Sequence, residues 1–222
     1  MRPLVSVVIP VLDDSDAAEQ LLAGVVPGPD VELILVDGGH DPRLEQLARA
    51  RVDTRFLRTA PGRGLQMNAG AAAAAGEWLL FLHADSRLAA GWLDAVRRIR
   101  KPTVGAWFLF ALDDTAWQAR VLERLVAWRV RWLRLPYGDQ GFVVRRDAFA
   151  ALGGFRDLPL MEDVDFARRL TRAGSVQEIA LPLRTSSRRW RRDGWIRRSA
   201  RNLALVSLYF AGVSPARLAR WY

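Results

Sequence analysis

Short apolar runs alternate with amphipathic stretches along the first half of the chain. Residues 4–9 form a β-branched run that reads as a buried strand stopped by Pro10. Runs at 31–36, 54–58 and 78–82 read as three more strands. Gly38-Gly39 follows the first of these and Pro61-Gly62 the second. Between them, residues 15–23, 41–50 and the alanine-rich 64–75 carry helical spacing, the first with Ser15 as a cap. This strand–helix alternation predicts an α/β fold with a Rossmann-like, mostly parallel sheet.

The second half is less regular. Strands are predicted at 103–112, 142–144 and 176–181. Helices are predicted at 115–133, 162–173, 195–211 and 215–221. No repeat or low-complexity linker divides the chain, so 1–222 is expected to be one domain. Its parts would be a nucleotide-binding half (1–112), an acceptor and catalytic half (113–190) and a basic helical extension (191–222).

Charge sharpens this picture. The formal net charge is +9, and residues 184–222 hold ten arginines against the single acid Asp193. The rest of the chain is balanced. An arginine-rich end calls for an anionic partner such as a diphosphate or an anionic lipid surface. Cysteine is absent and only His40 and His83 are present. Thiolate and multi-histidine metal sites are therefore excluded, and a metal must rest on carboxylates, as Mg²⁺ and Mn²⁺ do. Residues 1–12 are too short for a secretory core. The longest apolar stretch, 203–213, is shorter than the ~18 residues of a membrane span. A cytoplasmic protein is expected. Helix 195–211 interleaves arginines with apolar residues. Packing on the sheet or in a homodimer is the favoured reading for it, and peripheral contact with a membrane is the other.

In parallel sheets, ligands bind beyond the carboxyl ends of the strands. Asp37 stands at such an end, as do His83 and Asp85, which alternation places on one side of the chain. Arg63 and Gly64 open a helix after a Pro-Gly turn, where free N–H groups and a guanidinium suit a phosphate. Gly138-Asp139-Gln140-Gly141 offers polar groups to a hydroxylated substrate or forms a tight turn. Glu162, Asp163 and Asp165 sit in a first helical turn. That suits the helix dipole and also supplies a candidate general base. Arg188, Arg189 and Trp190 pair two cations with an aromatic ring.

The order and spacing of these pieces resemble the family-2 glycosyltransferases of the GT-A fold. The matching blocks are Val7-Val8-Ile9-Pro10, Val36-Asp37-Gly38-Gly39, Arg63-Gly64, Gln66-Met67-Asn68-Ala69-Gly70, Phe81-Leu82-His83-Ala84-Asp85, Gly153-Gly154-Phe155, Glu162-Asp163 and Arg188-Arg189-Trp190. Within the family the chain is most similar to a small bacterial subgroup associated with radical-SAM and arsenosugar biosynthesis genes.

The resemblance implies metal-dependent, inverting transfer of a sugar from a UDP- or GDP-sugar to a small-molecule or lipid-linked acceptor. By the same resemblance, Pro10, Asp37, Arg63, Gly64, Gln66 and Asn68 would hold the nucleotide. Asp85 would bind the donor through Mn²⁺ or Mg²⁺, with His83 beside it. Asp163 would be the base, with Glu162 adjacent. Arg188, Arg189 and Trp190 would meet the diphosphate, and Asp139 and Gln140 the acceptor.

The chain departs from the family pattern in three places. His83 replaces the first Asp of Asp-x-Asp, Asp13-Asp14 replaces Asn-Glu, and Ser187 replaces the Gln of Gln-x-x-Arg-Trp. A sugar-phosphate nucleotidyltransferase would need a glycine-rich basic loop after the first strand, where Leu12-Asp13-Asp14 stands instead. A non-catalytic nucleic-acid binder leaves Asp37, Asp85 and Asp163 without a role, and no nucleic-acid partner is expected.

Overall fold

The computed structural model describes residues 2–26 and 28–222; Met1 and Pro27 lie outside them. The chain begins with β1 (Val5–Val11), α1 (Ser15–Gly24), β2 (Val31–Asp37), α2 (Pro42–Arg49), β3 (Thr54–Arg58), α3 (Arg63–Ala73) and β4 (Trp78–Phe81). It continues through β5 (Ser86–Leu88), α4 (Trp92–Arg97), β6 (Gly105–Leu112), α5 (Trp117–Leu133), β7 (Phe142–Arg145) and α6 (Arg146–Ala151). The chain finishes with α7 (Glu162–Ala173), β8 (Val176–Thr185), α8 (Arg188–Asp193), α9 (Trp195–Phe210) and α10 (Pro215–Ala219).

The described strands make one mixed sheet in the order β3-β2-β1-β4-β7-β6-β8-β5. Strands β1 to β4 are mutually parallel, β6 and β8 are parallel, and β7 and β5 run against their neighbours. The predicted α/β sheet is present, and from β1 through β4 the chain follows the predicted alternation element by element.

Side-chain alternation explains the layering. On β1, Val5, Val7, Ile9 and Val11 point to a core shared with Leu21 and Leu22 of α1, Leu44 of α2 and Val96 of α4. Val8 points the other way, into a core built with Met67 of α3, Phe149 of α6, Phe166 and Leu170 of α7 and Leu205 of α9. Phe155 and Phe166 lie 4.3 Å apart, centroid to centroid, at its centre. A third cluster joins Trp107 and Leu112 of β6 to Ala119, Val126 and Val130 of α5.

Two expectations are corrected. Pro10 does not stop β1, which continues to Val11. The Val8 carbonyl accepts from Leu82 and the Val11 carbonyl from Gly38, so position 10 faces the β4 side. Pairing with β4 has already ended there, at Val8 opposite Phe81. The missing N–H of proline therefore costs no ladder bond. The segment from Ser186 to Trp190, which the sequence suggests as the end of a strand, lies beyond the end of β8 at Thr185 and opens helix α8 at Arg188. Elements β5, α4 and α6 were not predicted; each is only three to six residues long.

Candidate active site

A cleft of about 520 Å³ opens beyond the carboxyl ends of β1 and β4. Pro10 and Asp14 line it after β1, Arg63 and Gln66 from the start of α3, and His83 and Asp85 after β4. Tyr137 and Asp139 come from the turn before β7, and Glu162 and Asp163 from the start of α7. Arg188, Arg189 and Trp190 enter from α8, and Arg198 and Asn202 from α9, with Tyr222 beside them.

The acidic corner is built around Gly138. Its N–H donates to Asp163 Oδ2 at 2.9 Å. A Cβ at this position would lie 2.9 Å from His83 Nε2 and 3.3 Å from Asp163 Oδ2. Three segments distant in sequence therefore meet at one atom-wide junction. Met161, in the left-handed region at φ 69°, turns the chain sharply into α7 and presents Glu162 and Asp163. A non-glycine residue in that region is uncommon and concentrates where a site fixes the backbone.

Neighbouring Glu162 and Asp163 are held differently. Glu162 is buried and pairs with Arg63 Nη1 at 3.0 Å. Burial and the Asp163 carboxylate raise its carboxyl above the usual range, against the pull of Arg63. Asp163 has no cationic partner among the described residues. Burial pushes the Asp139 carboxyl up to about 6; Arg129 opposes this, while Asp163 and Asp85 add to it. Asp139 Oδ1 is buried without a hydrogen-bond partner. Burial, with the Arg63 and Arg189 cations, pushes the His83 imidazole down to about 3 and leaves it neutral.

Asp85 is only loosely engaged. Thr185 Oγ1 approaches its Oδ1 at 3.5 Å and Arg188 Nη2 its Oδ2 at 3.8 Å. The main partner of Arg188 is Asp14. Among the described residues, the Arg189 guanidinium donates only to the Tyr222 hydroxyl, at 3.3 Å. That hydroxyl also accepts from Arg198, which is buried and pairs with Asp193. Helix α8 is fastened by Asp114, which accepts from Ser187 Oγ and from Arg191 Nε and Nη2 at 2.6–2.8 Å.

Several residues expected at the nucleotide or the acceptor make structural contacts within the fold. Asn68 spends both ends of its amide on Phe155: Nδ2 donates to the carbonyl at 2.8 Å and Oδ1 accepts from the N–H at 2.9 Å. It is not on the cleft wall. Gln66 touches the cleft, but its Nε2 donates to the Val11 and Val36 carbonyls, both at 2.8 Å, and so ties β1 to β2. Gly64 allows close approach to the Arg156 carbonyl, which a Cβ would meet at 2.8 Å. Gln140 is buried, donating to the Phe108 carbonyl and accepting from Arg129. Asp37 lies behind the wall, fully buried, with Oδ1 on the Gly39 N–H and Oδ2 3.6 Å from Arg58 Nε. Pro10, Arg63, His83, Asp85, Asp139, Glu162, Asp163, Arg188, Arg189 and Trp190 do converge on the cleft. Sequence reading flagged the Gly138–Gly141 turn but missed Tyr137, Arg198, Asn202 and Tyr222. The cleft-facing spacing of Arg198 and Asn202 on one helix was the available signal for that pair.

The model of glycosyl transferase family 2 matches residues 6–156. An uncharacterized protein of Mycobacterium tuberculosis (strain CDC 1551 / Oshkosh) is 28% identical over 207 residues, covering 79% of this chain and 64% of the relative. Among solved structures, the mannosyltransferase PcManGT from Pyrobaculum calidifontis, in complex with GDP-Man and Mn²⁺, superposes with a TM-score of 0.63 at 18% identity. The match covers 82% of this chain and 57% of that one. TarS of S. aureus superposes with a TM-score of 0.65 at 15% identity, over 82% of this chain and 36% of its own. The chain thus spans less than two thirds of each of these proteins. At these identities the two structural likenesses are ones of fold.

Proposed function

This chain belongs to glycosyltransferase family 2 and has the GT-A fold, and on that premise we propose that it transfers a sugar from a nucleotide-diphospho-sugar to an acceptor hydroxyl, with inversion. The observation that carries the proposal is the Gly138 junction. It fixes an ion-pair-free Asp163 carboxylate in a cleft whose other walls bring Asp85, Arg188 and Arg189.

In this reading Asp163 accepts the proton of the acceptor hydroxyl. The oxygen forms a bond to the anomeric carbon as the bond from that carbon to the donor diphosphate breaks on the opposite face. Arg188 and Arg189 meet the charge that gathers on the leaving diphosphate. Glu162 is unsuited to the base role because Arg63 already holds it. Asp139, with its unpartnered oxygen, orients the acceptor.

The residues fit a divalent ion. Asp85 has lightly used carboxylate oxygens and His83 offers a neutral imidazole beside it. No group of three or more ligating side chains occurs among the described residues, so donor phosphates and water would complete the shell. Mn²⁺ or Mg²⁺ held by Asp85, with His83 beside it, would supply charge neutralisation at the diphosphate. The neighbour bound to GDP-Man and Mn²⁺ supports testing GDP first, then UDP. The acceptor is proposed to be a small-molecule or lipid-linked hydroxyl.

The test is calorimetric titration of GDP and UDP, with and without Mn²⁺, into the native protein and Asp85→Ala. Metal-dependent binding of one nucleotide, lost in the variant, is expected. No binding of either under any condition overturns the donor assignment. With the donor identified, Asp163→Asn should lower turnover by about 10²–10⁴-fold while leaving nucleotide affinity unchanged. Asp139→Asn should mainly raise the acceptor KM. If Asp139→Asn instead removes turnover and Asp163→Asn does not, the two roles are exchanged.

A further inference from the structure

Helix α5 has two apolar faces, and only one of them is used. Ala119, Val126 and Val130 pack on β6. On the other side, Trp117, Val121, Leu125, Trp128 and Trp132 are exposed, the three tryptophans by 60–71%. At 100° per residue these five side chains fall within an arc of about 80°. They form a stripe along a 17-residue helix. Three exposed tryptophans on one helix face are unusual for a surface with nothing to meet.

The charges beside the stripe are of one sign. Arg124 and Arg131 run along one edge and Arg134 caps the end. None of the three guanidinium groups has a hydrogen bond or ion pair among the described residues. The only acid on α5, Glu123, is turned inward, accepting from the Leu112 N–H and pairing with Arg120. We infer that this face of α5 docks on an anionic lipid bilayer. Tryptophan rings and apolar side chains would enter the headgroup–acyl boundary while the arginines meet lipid phosphates.

Charge decides between this occupant and a second copy of the chain. A two-fold contact would set the same face against itself and bring unpaired arginines together with no carboxylate to answer them. A bilayer carrying negative charge answers them directly. The placement also has a direction. At the carboxyl end of α5, Arg129 lies 3.5 Å over the ring of Tyr137, which lines the cleft beside Asp139. Docking through α5 would therefore hold the Tyr137 and Asp139 end of the cleft close to the bilayer. The docking itself does not depend on the sugar-transfer reading.

The test is co-sedimentation of the full chain with vesicles of phosphatidylcholine alone and of phosphatidylcholine with phosphatidylglycerol. Binding is expected to the anionic vesicles only, to weaken as salt is raised, and to shift tryptophan emission to the blue. Trp117→Ser/Trp128→Ser/Trp132→Ser should abolish it with an unchanged circular dichroism spectrum, since these rings are exposed. Arg124→Gln/Arg131→Gln/Arg134→Gln should weaken it on the order of a hundredfold. Three results overturn the inference: a wild-type protein that stays in the supernatant at low salt, a tryptophan variant that sediments like wild type, or a concentration-dependent dimer in ultracentrifugation that the tryptophan variant loses. None of these outcomes touches nucleotide binding, so the donor-site reading stands or falls separately.

Discussion

Replacing Asn68 with alanine separates two accounts of the segment that opens α3. The amide makes two hydrogen bonds to the backbone of Phe155, a residue only 3% exposed. Alanine would leave a buried N–H and a buried carbonyl with no partner and little access to water. Each such loss costs about 1–3 kcal/mol. The neighbouring loop keeps support, because Arg169 donates to the Leu152 and Gly154 carbonyls at 2.8 Å. A total near the lower half of the range, about 2–4 kcal/mol, is therefore expected. For a chain of this size that corresponds to a fall in Tm of roughly 4–16 °C. The assay is thermal and urea unfolding of Asn68→Ala, followed by nucleotide titration of the folded variant. Stability should drop and nucleotide affinity should not. If Tm moves by less than about 2 °C and nucleotide affinity collapses, Asn68 touches the ligand and the structural reasoning is wrong.

Two further outcomes follow from the cleft and its fastening. Gly138→Ala places a methyl group 2.9 Å from His83 Nε2, and so should displace Asp163 and lower turnover by about 10²-fold at unchanged nucleotide affinity; unaltered turnover would refute the junction's role. Arg191 and Ser187 hold the Asp114 carboxyl well below the usual carboxylate range. The stability this gives the arm is present above the ordinary carboxylate pKa and is lost as pH falls through the lowered value. Tryptophan emission of wild type and Asp114→Asn should therefore differ fully at neutral pH and converge only below about pH 4. Convergence already at pH 6 would show that Asp114 is not the fastener.

The legible part of this molecule is the part written locally. Helix α7 has the predicted bounds because Leu160-Met161 precede an acidic first turn and Gly174 follows the last one. Strand β3 matches as well, bracketed by turn residues. Elements β5 and α8 escaped notice because their own residues argue against them. Ser86-Arg87-Leu88 is a strand only by pairing with β8, and the arginine-rich α8 is fastened through Arg191 to the distant Asp114.

The site divides in the same way. Asp85 and Asp163 stand out at element ends and do reach the cleft. Asn68 and Gln66 lie beside a glycine-flanked helix start that resembles a phosphate cradle, and nothing nearby in sequence announces Phe155 or Val11 as their partners. The pairing of Arg63 with Glu162 and the meeting of His83 with Gly138 join residues that only the finished sheet brings together.

The position of β7 in the sheet has a consequence for how the chain is made. Strand β4 is complete at Phe81, yet the partner for its outer edge, β7, ends at Arg145, opposite Trp78. On a ribosome adding about 5–20 residues per second, that apolar edge stands unpaired for roughly 3–13 s. Such an edge is a template for pairing with other nascent chains. Crowded synthesis is therefore when this protein is most exposed to aggregation, and slower growth or chaperone capture in that interval should raise the yield of soluble protein.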